Sequence, residues 1–212
     1  MNVLAQELQE VNASTVRMLE AVREAVRHAR QALIDADLEA AERCIAGDAI
    51  IDAQQDRLEQ RFLTIIARRQ PAARDLRFLG SVFQSLSEIE RAGDYAVHVA
   101  RAGAELAKDP PLKKYIDMAR ILTIIDEMLV VTMRAFTHED VQAARSVAAM
   151  DDEIDELYEQ IQRELLTYMM SDHRTINPAT KLLAVARYLE RCGDHIENVN
   201  EHVLFWLTGE RI

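Results

Sequence analysis

The chain has 212 residues, 25 of them Lys or Arg against 36 Asp or Glu, for a formal net charge of −11. That balance excludes a non-specific nucleic-acid binder, which needs a cationic surface to displace counterions from phosphates. With 49% hydrophobic residues but only 5% aromatic, 6 Gly and 4 Pro, the composition is poor in turn chemistry and rich in helix formers, so an all-α fold is expected.

In chain order, Leu4, Leu8, Val11, Met18, Val22, Val26 and Leu33 recur at helical spacings through a stretch without Gly or Pro. They predict a first amphipathic helix that breaks near Asp35 to Asp37. Leu38, Ala41, Ile45, Leu58, Phe62 and Ile65 carry a second helix, which stops before Pro71 because the residue preceding a proline is pushed out of the α region. A third runs from about Ala73 to Ala107 and ends at Asp109, Pro110 and Pro111, the strongest punctuation in the sequence. Beyond it the pattern predicts helices from Leu112 to about Phe136 and from about Glu139 to Met170. A polar stretch (SDHRTINP) and a last helix from about Ala179 to Leu207 follow.

Six long helices broken in the middle suggest two three-helix units, 1–109 and 110–212. Adding 103 to a position pairs Ala32 with Ala135, Asp37 with Asp140, Asp48 with Asp151, Ile51 with Ile154 and Asp52 with Asp155. Adding 100 pairs Glu90, Arg91, Gly93 and Asp94 with Glu190, Arg191, Gly193 and Asp194. A change of loop length between the second and third helices of each unit accounts for the shift of offset. Polar identities recur, which a bland helical repeat does not require. Residues 1–108 hold 14 basic and 17 acidic groups, against 11 and 19 in the remainder, so any basic contact surface falls to the first unit rather than the second.

Each unit carries two acidic pairs at i, i+4: Asp48 with Asp52 and Glu90 with Asp94, then Asp151 with Asp155 and Glu190 with Asp194. Such pairs share a helical face, one turn apart, and repel. One pair alone reads as a solvated acidic face. Four at repeated positions point to converging carboxylates that cations hold together. All-oxygen ligation suits Mg²⁺, Ca²⁺, Mn²⁺ or iron, with Zn²⁺ also open. A di-iron oxidase of the ferritin-like kind is disfavoured, since none of the six histidines has Glu three residues before it. His195 points about 100° around the helix from Asp194, which argues against ligation. Gly93 and Gly193 let a neighbouring helix approach the acidic pairs closely.

No Gly-rich phosphate loop, GxSxG or HExxH motif is present. Ser81, Ser85 and Ser87 read as packing or surface residues, and no enzyme is expected. Cys44 and Cys192 lie outside any CxxC spacing, within helical patterns, as two buried thiols of a reducing compartment. The start MNVLAQELQE lacks an export pattern, and ILTII and MLVVTM fall far short of a membrane span. A cytoplasmic protein is expected.

The run Ala186, Arg187, Tyr188, Leu189, Glu190, Arg191, Cys192, Gly193, Asp194, His195, then Asn198 and Glu201, resembles the ARYLERIGDHxxNxxE signature of the PhoU family of phosphate-uptake regulators. Gln70, Pro71, Ala72, Asp75, Leu76, Arg77 and Phe78 resemble its QPxAxDLR segment, and Glu90, Arg91, Gly93 and Asp94 its ERxGD. Tyr95 and His98 stand where the first copy often has His and Asn, and Cys192 replaces an aliphatic residue. The resemblance implies two three-helix bundles related by a pseudo-twofold axis, often dimeric, with metal held on the acidic pairs. It implies a non-enzymatic cytoplasmic adaptor between the phosphate ABC transporter and a membrane-bound sensor histidine kinase. That adaptor damps phosphate-starvation signalling and phosphate uptake. The alternative is a metal-binding helical protein with another signalling role or a metalloenzyme.

Overall fold

The computed structural model describes residues 3–210, so the outermost residues of the two expected units lie outside the described chain. Six helices follow one another: α1 (Val3–Ile34), α2 (Leu38–Arg69), α3 (Ala73–Leu106), α4 (Ile116–His138), α5 (Val141–Ser171) and α6 (Ile176–Thr208). A short 3₁₀ turn (His173–Thr175) precedes α6, and no strand occurs among the described residues.

The helix boundaries follow local chemistry. Asp37 caps α2 by accepting a hydrogen bond from the Ala40 N–H at 3.0 Å. Asp140, its repeat counterpart, caps α5 by accepting from the Gln142 and Ala143 amides at 3.1 and 3.0 Å. Gln70 terminates α2 in the left-handed conformation just before Pro71. Two boundaries differ from expectation. Leu112 lies in the loop, and α4 starts only at Ile116, after the segment leaving the double proline. In contrast, α6 starts early and takes Pro178 into its first turn, where a missing N–H removes no helical bond.

Within each half, the three helices pack on one another, and the halves meet through α1 against α4 and α3 against α6. The apolar stripes meet in one continuous core that runs from Met18, Leu19 and Val22 through Leu79, Leu86 and Ile89 to Ile121, Ile125, Phe136 and Val199. Met128, Val203, Leu204 and Trp206 are buried in it too, and Met133 packs against it. Ser81 and Ser85 are buried, whereas Ser87 is exposed. Both cysteines are free and buried.

The junction between the halves is where equivalent positions face each other with different side chains. Arg23 donates to both carboxylate oxygens of Asp126 at 2.9 and 3.0 Å, and Arg27 adds a third bond at 3.0 Å; residues 23 and 126 are themselves 103 apart. Between α3 and α6, Glu88 pairs with His195 Nδ1 at 2.7 Å and accepts from Asn198 at 3.0 Å. Tyr95 stacks on His195 at 5.5 Å between ring centroids, and His98 stacks on Tyr188 at 5.1 Å. Buried Asn200 donates to Thr132 Oγ1 at 2.7 Å and to the Ile196 carbonyl at 2.8 Å, joining α6 to α4.

A second set of equivalent positions exchanges charge outright. In the first half Glu10 pairs with Arg61, tying α1 to α2. In the second half Lys113, just before α4, pairs with Glu164 on α5. These are the same two positions shifted by 103, with the signs reversed.

Candidate metal centre

The acidic pairs sit where the repeat places them: Asp48 and Asp52 on α2, Glu90 and Asp94 on α3, Asp151 and Asp155 on α5, Glu190 and Asp194 on α6. Because α2 packs on α3 and α5 on α6, each pair looks across at its partner pair. Asp52 and Asp155 are exposed, Asp151 is buried at 7% relative exposure, and Asp48, Glu90, Asp94, Glu190 and Asp194 lie between.

Crowding shows in the protonation equilibria. In the first half burial, then the charges of Asp94 and Asp52, raise the Asp48 carboxyl above its ordinary range. Glu90 moves the same way for the same reasons. In the second half burial raises Asp151 most strongly, with Glu197, Asp194 and Asp155 adding repulsion. Burial likewise raises Glu190, with Asp194 pushing further, and raises Asp194 against the pull of Arg191. Each of these shifts is upward, the mark of anions with too few cations among them.

The two groups are not equal. One oxygen from each of Asp151, Asp155 and Asp194 lies within 4.8 Å of the others, and no such triad forms around Asp48, Asp52 and Asp94 among the described residues. The α3 and α6 sequences explain the asymmetry. Continuing the acidic stripe by one and two turns, α6 presents Glu197 and Glu201, while α3 has Val97 and Arg101 at the matching positions. Arg101 pulls the Asp48 carboxyl down. Glu197 instead adds its charge beside Asp151 and helps to raise that carboxyl. Glu197 is the member of the site that motif spacing passed over. The signal was available, since residue 197 follows Asp194 by three and Glu190 by seven on one face.

Arg191 offers the local counter-charge, 3.3 Å from Asp194 and 3.7 Å from Glu190. His195 turns away to Glu88, consistent with its offset around the helix. Gly193 lies under the second site: a Cβ there would fall 2.7 Å from Asp151 Oδ1 and 2.9 Å from Ile154 Cδ1. At Gly93 a Cβ would meet only the side chains of Ile51, at 2.9 Å, and Val22, at 3.6 Å. Asp151 Oδ1 and Glu190 Oε2 are both buried without a hydrogen-bond donor. Acceptors left in that state are costly, and together with the all-oxygen donor set they fit a hard cation.

The family model for the PhoU domain matches residues 15–103 and 118–203. A protein of Deinococcus radiodurans named phosphate-specific transport system accessory protein PhoU homolog is 50% identical over 195 residues, 92% of this chain and 88% of that one. The crystal structure of PhoU from Pseudomonas aeruginosa superposes with a TM-score of 0.93 at 35% identity, over 97% of this chain and 99% of that one. The phosphate transport system regulatory protein PhoU from Streptococcus pneumoniae gives 0.90 at 29% identity, over 99% of both.

Proposed function

The chain belongs to the PhoU domain family, and on that premise we propose that it is an accessory protein of a phosphate transport system, a regulator and not an enzyme. The observation that carries this reading is the match of the family model to both halves of the chain, with a relative of that name half identical over nearly its whole length. The finer reading is a cytoplasmic homodimer built from two domains, 1–109 and 110–212. It links the phosphate ABC transporter to a sensor histidine kinase and restrains uptake and starvation signalling when phosphate is plentiful. The absence of any helix long and apolar enough to cross a membrane among the described residues fits attachment through partners.

The carboxylates supply the stiffening that a docking surface needs. A hard cation held by Asp151, Asp155 and Asp194, with Glu190 and Glu197 beside them, supplies the positive charge that this group lacks. Asp151 gives up its proton in exchange, and α5 and α6 are held in register. The first site, formed by Asp48, Asp52, Glu90 and Asp94, already has Arg101 nearby and binds more weakly.

The test is affinity capture of the chain from cells grown in high phosphate. Transporter subunits and the kinase are expected to be retained with it. Capture of neither overturns the adaptor reading, and capture of the transporter alone removes the kinase from it. In a second arm, Asp151→Asn with Asp194→Asn should lower bound metal and metal-dependent melting. No change in either removes the cation from this account.

A further inference from the structure

The first half contains a second polar site, remote in sequence from every acidic pair except through α2. Ser14 and Arg17 of α1 and Gln54, Arg57, Arg61 and Thr64 of α2 line a cavity of about 420 Å³, with buried Leu58 at its base. On α2 the spacing 54, 57, 61, 64 is one helical stripe, so a single helix face delivers two guanidiniums, an amide and a hydroxyl.

Its charge is not consumed locally. Of the three arginines, Arg61 pairs with Glu10 and also lies in the field of Glu7. Arg17 donates only to Ser14 Oγ, at 2.7 Å, and no carboxylate lies within ion-pair distance of Arg17 or Arg57 among the described residues. Arg61 Nε and Gln54 Oε1 are buried without a hydrogen-bond partner. A chain with net charge −11 thus leaves Arg17 and Arg57 without a carboxylate partner at one cavity.

The duplication supplies an internal control. Shifted by 103, the residues Ser14, Arg17, Gln54, Arg57, Arg61 and Thr64 become Asp117, Arg120, Leu157, Gln160, Glu164 and Thr167. Every charge there is satisfied: Arg120 by Glu153, Glu164 by Lys113, Asp117 by Gln160. Two carboxylates have replaced a hydroxyl and a guanidinium. The same helical scaffold thus carries a net negative charge with its charged groups bonded in the second half, and is cationic in the first.

We propose that this cavity between α1 and α2 binds a phosphate-type oxyanion, held by Arg17, Arg57 and Arg61 with the Ser14 and Thr64 hydroxyls beside them. Guanidinium forks match tetrahedral oxyanions bidentately. The site stands apart from the carboxylates and does not rest on the transporter reading, so either can fail alone.

Titration calorimetry of the full chain, in chelator-treated buffer at constant ionic strength, tests it with inorganic phosphate and with glycerol 3-phosphate. Flotation with phosphatidylcholine vesicles containing phosphatidic acid adds a membrane arm. Saturable binding of phosphate or of the soluble ester is expected. It should weaken at least tenfold in R17Q/R57Q and stay within twofold of the parent in the second-half control R120Q/R163Q, with melting curves confirming that both fold. Single R57Q, which breaks no hydrogen bond or ion pair, covers the case of a misfolded double variant. Binding of phosphate alone assigns the site to the free anion. Tighter binding of the ester together with the vesicles assigns it to a phosphomonoester headgroup. Three results overturn the proposal: no saturation by either soluble ligand, equal weakening in R120Q/R163Q, or binding to vesicles only.

Discussion

Gly193→Ala probes the contact on which the second acidic site depends. In an unobstructed helix interior the change stabilises by about 1 kcal/mol, and Gly80 is such a position, since an added Cβ meets nothing within 4 Å. At Gly193 the same methyl would fall 2.7 Å from Asp151 Oδ1 and 2.9 Å from Ile154 Cδ1, closer than a Cβ can sit. Asp151 is buried and has little room to give. Forcing extra volume into such a place costs about 1–3 kcal/mol, which cancels the helix gain and leaves a loss of up to about 2 kcal/mol. Gly93→Ala meets only the flexible end of Ile51 at 2.9 Å and should be close to neutral. Thermal melts of the four proteins, chelator-treated and with Mn²⁺, separate these cases, because about 1 kcal/mol moves a chain of this size by about 2–4 °C. Gly80→Ala should melt above the parent, Gly93→Ala near it and Gly193→Ala below it, with the Mn²⁺-dependent rise lost only in Gly193→Ala. If Gly193→Ala is as stable as Gly80→Ala, α5 does not approach α6 closely at Asp151 and Ile154. If it is destabilised yet keeps the full Mn²⁺ response, Asp151 is not a ligand.

The raised carboxyls fix the sign of a pH effect. Asp48, Glu90, Asp151, Glu190 and Asp194 hold protons in the folded chain at pH values where the unfolded chain has released them. Metal-free stability should therefore fall as pH rises from about 5 towards 8; urea midpoints that rise across that range contradict the crowding, and saturating Mn²⁺ should flatten the slope. Thr132→Val strands a buried Asn200 N–H that now bonds Thr132 Oγ1 at 2.7 Å, and urea denaturation should show a loss of about 1–3 kcal/mol. A loss below about 0.5 kcal/mol would mean that the amide finds another acceptor. Burial pushes the Cys44 and Cys192 thiols up to about 12. Ellman's reagent should accordingly label neither at pH 8 in the native chain and both in urea, and rapid labelling of a native thiol contradicts their burial.

Helix positions were legible because the apolar stripes are long and the breaks carry Asp caps or prolines. The misplaced starts of α4 and α6 both lie beside proline, where sequence alone does not say whether the ring closes a loop or opens a helix. The four acidic pairs were legible because the duplication repeats them. Their inequality was not, since it arises from Glu197 against Val97 and from Glu201 against Arg101, differences that a search for identities discards. The pairing of Arg23 with Asp126 was hidden for the same reason: equivalent positions that differ in charge look like noise until α1 and α4 face each other. Burial of Asp151 depends on how closely α6 approaches α5, which only the packed structure sets.

The exchanged ion pairs have a consequence for how a duplicated chain finds its own fold. Two similar halves in one polypeptide can trade helices, and such misassembly is a recurrent failure of repeat proteins. Were α1 to seat on α5 instead of α2, Glu10 would meet Glu164, and Lys113, displaced onto α2, would meet Arg61. Both crossed pairings set like charges together, whereas both correct ones join opposites. The reversal between the halves adds nothing to either bridge taken singly. Taken together, the two bridges set like charges against the exchanged pairing and so favour each leading segment on its own hairpin partner over a close copy about a hundred residues away.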